Sequence, residues 1–173
     1  RALAGPLRAF AAASAGDPAK VVERGDLALF PIDSSRFQSI ARSGGEFSAE
    51  AARAIERRLR DPALRHQSVV VDLHHPPFAQ SRAPLWQWID GLRGRAHIVD
   101  LLRRHPRLQV LHGHLHRVVD RIVALGRDAR ARGAAATARI FGAPAIVEDD
   151  RSARVRLYDV RDGALQVAGL FAS

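Results

Sequence analysis

Two short runs, SVVVDL (68–73) and RLQVLH (107–112), constrain this chain more than anything else in it. The first is a mostly apolar run dense in β-branched residues, the pattern of a strand covered on both faces, and the second reads as a further strand. Between them, at about 95–105, Ile98, Leu101 and Leu102 recur with helical spacing. A strand that re-enters its sheet through a helix runs parallel to its predecessor, with a right-handed crossover. A third run, DLALFPID (26–33), precedes another helix, capped by Ser48, with Ala51, Ala52, Ile55 and Leu59 on one side and arginines on the other. Pro31 places that strand near an edge or bends its end. Strand, helix, strand, helix, strand is an α/β pattern with a parallel sheet.

Parallel strands bring their C-terminal ends to one rim, where ligand sites in such folds lie. Asp33, the His74-His75 pair and the loop GHLH (113–116) all fall there. Elsewhere the pattern is looser. Pro6 to about Ala15 has the spacing of a short helix, and 84–92 reads as a Trp-containing loop or short helix. After the third strand the chain changes character. GRDARARGAAATAR (126–139) is low in complexity and reads as a mobile loop or hairpin tip. IFGAPAIV, VRLYDV and LQVAGL are short strands, the last two joined at Asp162-Gly163, a tight-turn pair. This tail is expected to be antiparallel and to pack on, or extend, a sheet.

At 173 residues, 47% of them apolar, the chain has the length for one domain, 1–173, with a full core. No stretch approaches the roughly 18 uninterrupted apolar residues of a membrane helix, so no span is expected and the cytoplasm is the default location. Cysteine is absent, which leaves histidines and carboxylates as the groups able to hold a metal. The formal charge of +9 is almost wholly arginine, Lys20 being the only lysine, and favours anionic partners such as phosphorylated substrates. The arginines are spread along the chain, not gathered in a patch, so nucleic acid is not the expected partner.

Of the eight histidines, His66, His97 and His105 read as ordinary partly buried residues. His74 differs: it ends an apolar strand, and Pro76-Pro77 gives the chain a stiff exit. His74 and His75 point to opposite sides of an extended chain, so only one can face a given site. His112, His114 and His116 alternate, and Gly113, free to take positive φ, can turn the chain so that His114 and His116 diverge to two nearby points. Imidazoles crowded in this way gain a purpose from a cation.

HHPPF followed forty residues later by GHLH, each at a strand end of an α/β chain, resembles the C-terminal half of the calcineurin-like metallophosphoesterases. The order DLALFPIDSS, Ser-capped helix, VVVDLHHPPF, VLHGHLHR, FGAPAIVEDD, VRLYDVRDG is similar to that of bacterial members from about residue 20 onward. The resemblance implies a four-layer α/β/β/α sandwich, its parallel strands and crossover helices followed by antiparallel strands. It implies a two-metal centre of manganese, iron, zinc or nickel, with His74 and His114 on one ion and His116 on the other. His75 and His112 are not ligands in the family's usual pattern and are candidates for supporting or substrate contacts. The choice of His74 over His75 rests on the resemblance alone.

The implied reaction is hydrolysis of a phosphate mono- or diester by a hydroxide that the two metals activate, with no Ser or Cys nucleophile. The family's Asp-x-His, Gly-Asp-x-x-Asp and Gly-Asn-His-Asp motifs are absent here, and the chain has no Asn. Asp72-Leu73-His74 has Asp-x-His lettering but occupies the later His position, and Gly25-Asp26 lacks the second acid. The chain begins at Arg1 and contains no Met, which favours either the C-terminal portion of a larger enzyme, inactive alone and with the N-terminal half as its missing partner, or a chain that has lost that half, over a diverged relative with no complete centre. The alternative is a basic module that binds polyanions or nucleic acid without catalysis, against which stands an aromatic content of only 6%.

Overall fold

The computed structural model describes residues 20–34, 43–79, 83–125, 137–144 and 154–172. The helix expected from Pro6, and residues 126–136 of the low-complexity stretch, lie outside them. Strands β1 (Val22–Arg24), β2 (Leu27–Ile32), β4 (Ser68–Leu73), β6 (Leu108–His112), β7 (Val119–Ala124) and β8 (Thr137–Gly142) form one mixed sheet in the order β1-β2-β4-β6-β8-β7. Two-residue strands β3 (Gly45–Glu46) and β5 (Leu92–Arg93) pair separately, and β9 (Arg154–Arg161) with β10 (Ala164–Ala172) makes an antiparallel hairpin turning at Asp162-Gly163. The fold is therefore mixed α/β.

The three strands read from the sequence are β2, β4 and β6, and they are parallel, with Ile32 opposite Leu73 and Leu73 opposite His112. Their ends share one rim. Pro31 stands where β1 no longer pairs: β1 covers β2 only from Leu27 to Leu29, so the missing N–H of Pro31 breaks no ladder on that side.

Helices α1 (Ala49–Leu59) and α3 (Arg95–Arg104) cover one face of the sheet, a third helix, α2 (Pro84–Asp90), lies between β4 and β5, and a 3-10 turn (Pro62–His66) leads into β4. Ser48 caps α1 by accepting from the Ala51 N–H at 3.0 Å. Phe30, Val69, Val71, Leu108 and Val110 meet Ala51, Ala52 and Ile55 of α1 and Ile98, Leu101 and Leu102 of α3 in the main core. Each large side chain buried there stabilises the fold by about 1.5–3 kcal/mol.

On the opposite face Val70 and Phe141 pack with Leu165, Tyr158 and Val160 of the hairpin. Buried Gln109 of β6 pins the hairpin in place, donating to Ser68 Oγ at 3.1 Å and accepting from the Leu165 N–H at 2.9 Å. Arg156 anchors its far end, donating to the Gly142 carbonyl at 3.1 Å and pairing with Asp120 at 3.1 Å.

The tail departs from expectation in two respects, and the first is that residues 137–139, expected to be loop, open strand β8. The second is that β8 is antiparallel to β7 but parallel to β6, because the chain leaves β6, runs out to the sheet edge as β7 and returns between the two. β7 lacks the alternation of a half-buried strand, since its apolar residues Val119, Ile122 and Val123 fall at helical spacing, and only Val119 is buried. No helix among the described residues is long and apolar enough to cross a membrane.

Candidate metal centre

Past Leu73 the chain bends, and His74 and His75 leave the end of β4 without continuing it. They are not splayed to opposite sides as an extended chain would place them. Their ring centroids lie 4.9 Å apart, and His114 sits against both, at 5.2 Å from His74 and 4.6 Å from His75. Nitrogens of His74, His75 and His114 all fall within 4.8 Å of one another. A backbone hydrogen bond from the Gly113 N–H to the His74 carbonyl, 3.0 Å, ties the two rim loops together.

Positive φ is taken by His114 (65°) and His116 (50°), and not by Gly113 as the sequence reading had it. Gly113 serves instead by its size: a Cβ there would stand 3.3 Å from His74 Nδ1. Left-handed backbone at a non-glycine residue costs of order 1–3 kcal/mol and persists where surrounding contacts hold it, as they do at binding sites. The reason for the difference is geometric: alternating left-handed residues swing the side chains of 114 and 116, so the turn is made at the histidines themselves.

The nitrogens decide which imidazoles can take a cation. His75 is buried, and both of its ring atoms are used: Nδ1 accepts from Ser34 Oγ–H at 2.9 Å, and Nε2–H donates to the Ser43 carbonyl at 2.7 Å. It has no lone pair to offer and acts as a brace between the loops after β2 and β4. His112 is also buried; its Nδ1–H donates to the Gly113 carbonyl at 2.8 Å, its ring packs edge-on to Phe78, and among the described residues its Nε2 has no partner. Burial pushes both imidazoles below the ordinary histidine range, so both are neutral at pH 7.

His74 Nε2 and His114 Nδ1 face each other at 3.3 Å. Two imidazole nitrogens about 2.0–2.1 Å from one tetrahedral cation stand about 3.3–3.4 Å apart, so this pair fits a single ion. Burial, and then the nearby His114 and His116, hold His74 below the ordinary range, which leaves it neutral as a ligand must be. His116 is exposed; it acts electrostatically on His74 but lies outside the cluster of three. The paired nitrogens of His74 and His114 thus fit one cation.

Asp90, the last residue of α2, is a member of the site that sequence reasoning missed. Its Oδ1 lies 2.9 Å from His114 Nε2 and accepts from Ser43 Oγ–H as well. No sequence pattern flags it: it is a lone acid 24 residues from its partner.

Beside His74, on the hairpin face of the sheet, an open cavity of about 610 Å³ is lined by Lys20, Asp33, Asp72, Leu111 and Tyr158 among others. Desolvation at this position pushes the Asp72 carboxyl above its ordinary range. Ser34 and His75 cannot form a Ser–His nucleophile, because Ser34 is only 1% exposed and His75 is backed by a carbonyl, not a carboxylate. Comparison with family models finds no match for this chain, and comparison with curated proteins finds none either.

Proposed function

We propose that the rim holds a metal ion between His74 and His114, and that the chain is the C-terminal part of a metallophosphoesterase that hydrolyses a phosphate mono- or diester. The observation that carries this reading is the 3.3 Å approach of His74 Nε2 to His114 Nδ1, achieved with His114 in left-handed backbone. In this reading the β9–β10 hairpin belongs to the second sheet of a four-layer sandwich, and the carboxylate motifs lie upstream of Arg1.

His74 binds through Nε2 and His114 through Nδ1, with His116 assigned to a second ion. His75 holds the rim loops at their spacing and keeps its own nitrogens out of the site. Metal ions held there would supply Lewis-acid polarisation of phosphoryl oxygens and a water nucleophile at neutral pH. The +9 charge favours the approach of an anionic substrate.

The test is hydrolysis of an aryl phosphate monoester and a bis-aryl diester with manganese, cobalt or zinc. The 173-residue chain is compared with the longer protein that includes the sequence upstream. Metal-dependent turnover is expected of the longer protein, with little from this chain, and His114→Ala in the longer protein abolishes it. Brisk turnover by this chain alone, or a rate that His114→Ala leaves unchanged, overturns the reading.

A further inference from the structure

We infer that Asp90 is a positioning residue for the metal site, holding His114 as the Nε2–H tautomer so that its Nδ1 lone pair points at His74 Nε2. The inference rests on the metal-site reading above and adds to it a residue that no motif marks.

Three observations lead to it. First, the Asp90 carboxylate, 2.9 Å from His114 Nε2, accepts a hydrogen bond from Nε2–H, which keeps the proton on Nε2 and leaves the lone pair on Nδ1, the atom that faces His74. Histidines that bind metals commonly donate their other ring N–H to a carboxylate in this way, which fixes the tautomer and the ring orientation. Second, Asp90 is the last residue of α2, where a negative charge opposes the helix dipole. The helix dipole disfavours an acid at that position, whereas the hydrogen bond from His114 favours it.

Third, the backbone on both sides of Asp90 is fastened. The Ile89 carbonyl accepts from the Ser43 and Gly44 N–H groups at 3.1 and 2.9 Å, and the Gly91 carbonyl accepts from the Gly45 N–H at 3.2 Å. A Cβ at Gly44 would meet the Gly91 carbonyl oxygen at 2.7 Å, so the approach is closer than any other residue permits. The parallel pairing of β3 with β5 continues the same fastening. Ser43 Oγ–H, donating to Asp90 Oδ1, then orients the carboxylate itself. The result is one hydrogen-bonded path, Ser34–His75–Ser43–Asp90–His114–His74, that joins the ends of β2, β4 and α2 to the loop after β6.

The experiment compares the untagged protein with Asp90→Ala and Asp90→Asn. Cobalt(II) affinity is read by calorimetry and by the visible d–d bands, and the His114 tautomer by long-range ¹⁵N–¹H NMR of the metal-free proteins. Far-UV circular dichroism checks the fold; Asp90→Asn, isosteric and able to accept the same hydrogen bond through its side-chain oxygen, covers the case in which Asp90→Ala unfolds. Asp90→Ala is expected to weaken cobalt binding by about 10–100-fold and to shift His114 toward a mixture of tautomers. Asp90→Asn is expected to keep the Nε2–H tautomer with a smaller loss of affinity.

If the unsubstituted protein binds cobalt and Asp90→Ala matches it in affinity and tautomer, the role of Asp90 is overturned while the site stands. If the unsubstituted protein takes up no cobalt, the site itself is overturned, and the role of Asp90 with it.

Discussion

A metal that binds only the folded chain must raise its melting temperature, and the size of the rise follows from the length of the chain. With cation at about 100 times its dissociation constant, the native state gains about 2.7 kcal/mol. Unfolding 173 residues at about 2.1 cal/mol/K per residue carries an entropy of about 0.36 kcal/mol/K, so the midpoint rises by about 7 °C. His74→Ala removes one of the two nitrogens that stand 3.3 Å apart. Loss of an orienting outer partner alone weakens such sites by about 10–100-fold, so loss of a ligand should reach at least the upper figure. At the same metal concentration the gain then drops to about 0.4 kcal/mol, or about 1 °C.

His114→Ala should lose the shift equally, although its own melting point changes too, since alanine tolerates left-handed backbone less well than histidine does. The quantity to compare is therefore the difference with and without metal for each variant, measured by scanning calorimetry on untagged protein. His66→Ala is the control: it is exposed and precedes β4, at the opposite end of the strand from His74. A full shift retained in both site variants, or lost in His66→Ala, refutes the assignment of the ion to His74 and His114.

Two further outcomes test the scaffold. Gly45→Ala puts a Cβ 2.2 Å from His75 Nδ1 and 2.6 Å from the Ser34 carbonyl oxygen, so it should displace the His75 brace and lower the urea midpoint. An overpacking cost of about 1–3 kcal/mol is expected, and a midpoint unchanged from the parent would show that the rim tolerates the shift. Glu56 of α1 pairs with Arg104 of α3, and that hydrogen bond, partly opposed by burial, holds the Glu56 carboxyl below its ordinary value of 4.5. Its stabilisation is therefore present above about pH 4.5 and is lost as pH falls through the lower folded value. Arg104 is 42% exposed, so screening limits the pair to about 0.5–1 kcal/mol. Glu56→Gln should be less stable than the parent at pH 7, with the two urea curves converging in acid; a constant gap across pH would contradict this.

Local pattern along the chain is enough to read the parallel run of β2, β4 and β6, the face that α1 and α3 cover, and the rim on which Asp33, His74 and the GHLH loop collect. These are readable because period, strand length and crossover handedness are local or nearly local constraints, repeated over many residues. Tertiary structure decided the rest. The return of the chain through β8 depends on an edge strand whose apolar residues fall at helical spacing, a pattern that does not register as a strand. Propensity places the turn at Gly113, yet it is made by His114 and His116, whose φ is positive. Which nitrogen faces which partner, and the presence of Asp90 behind His114, rest on contacts between residues 24 to 41 positions apart. Such contacts exist only once the sheet has brought distant strand ends together, because a hydrogen bond is decided by a few tenths of an ångström that no one-dimensional pattern encodes.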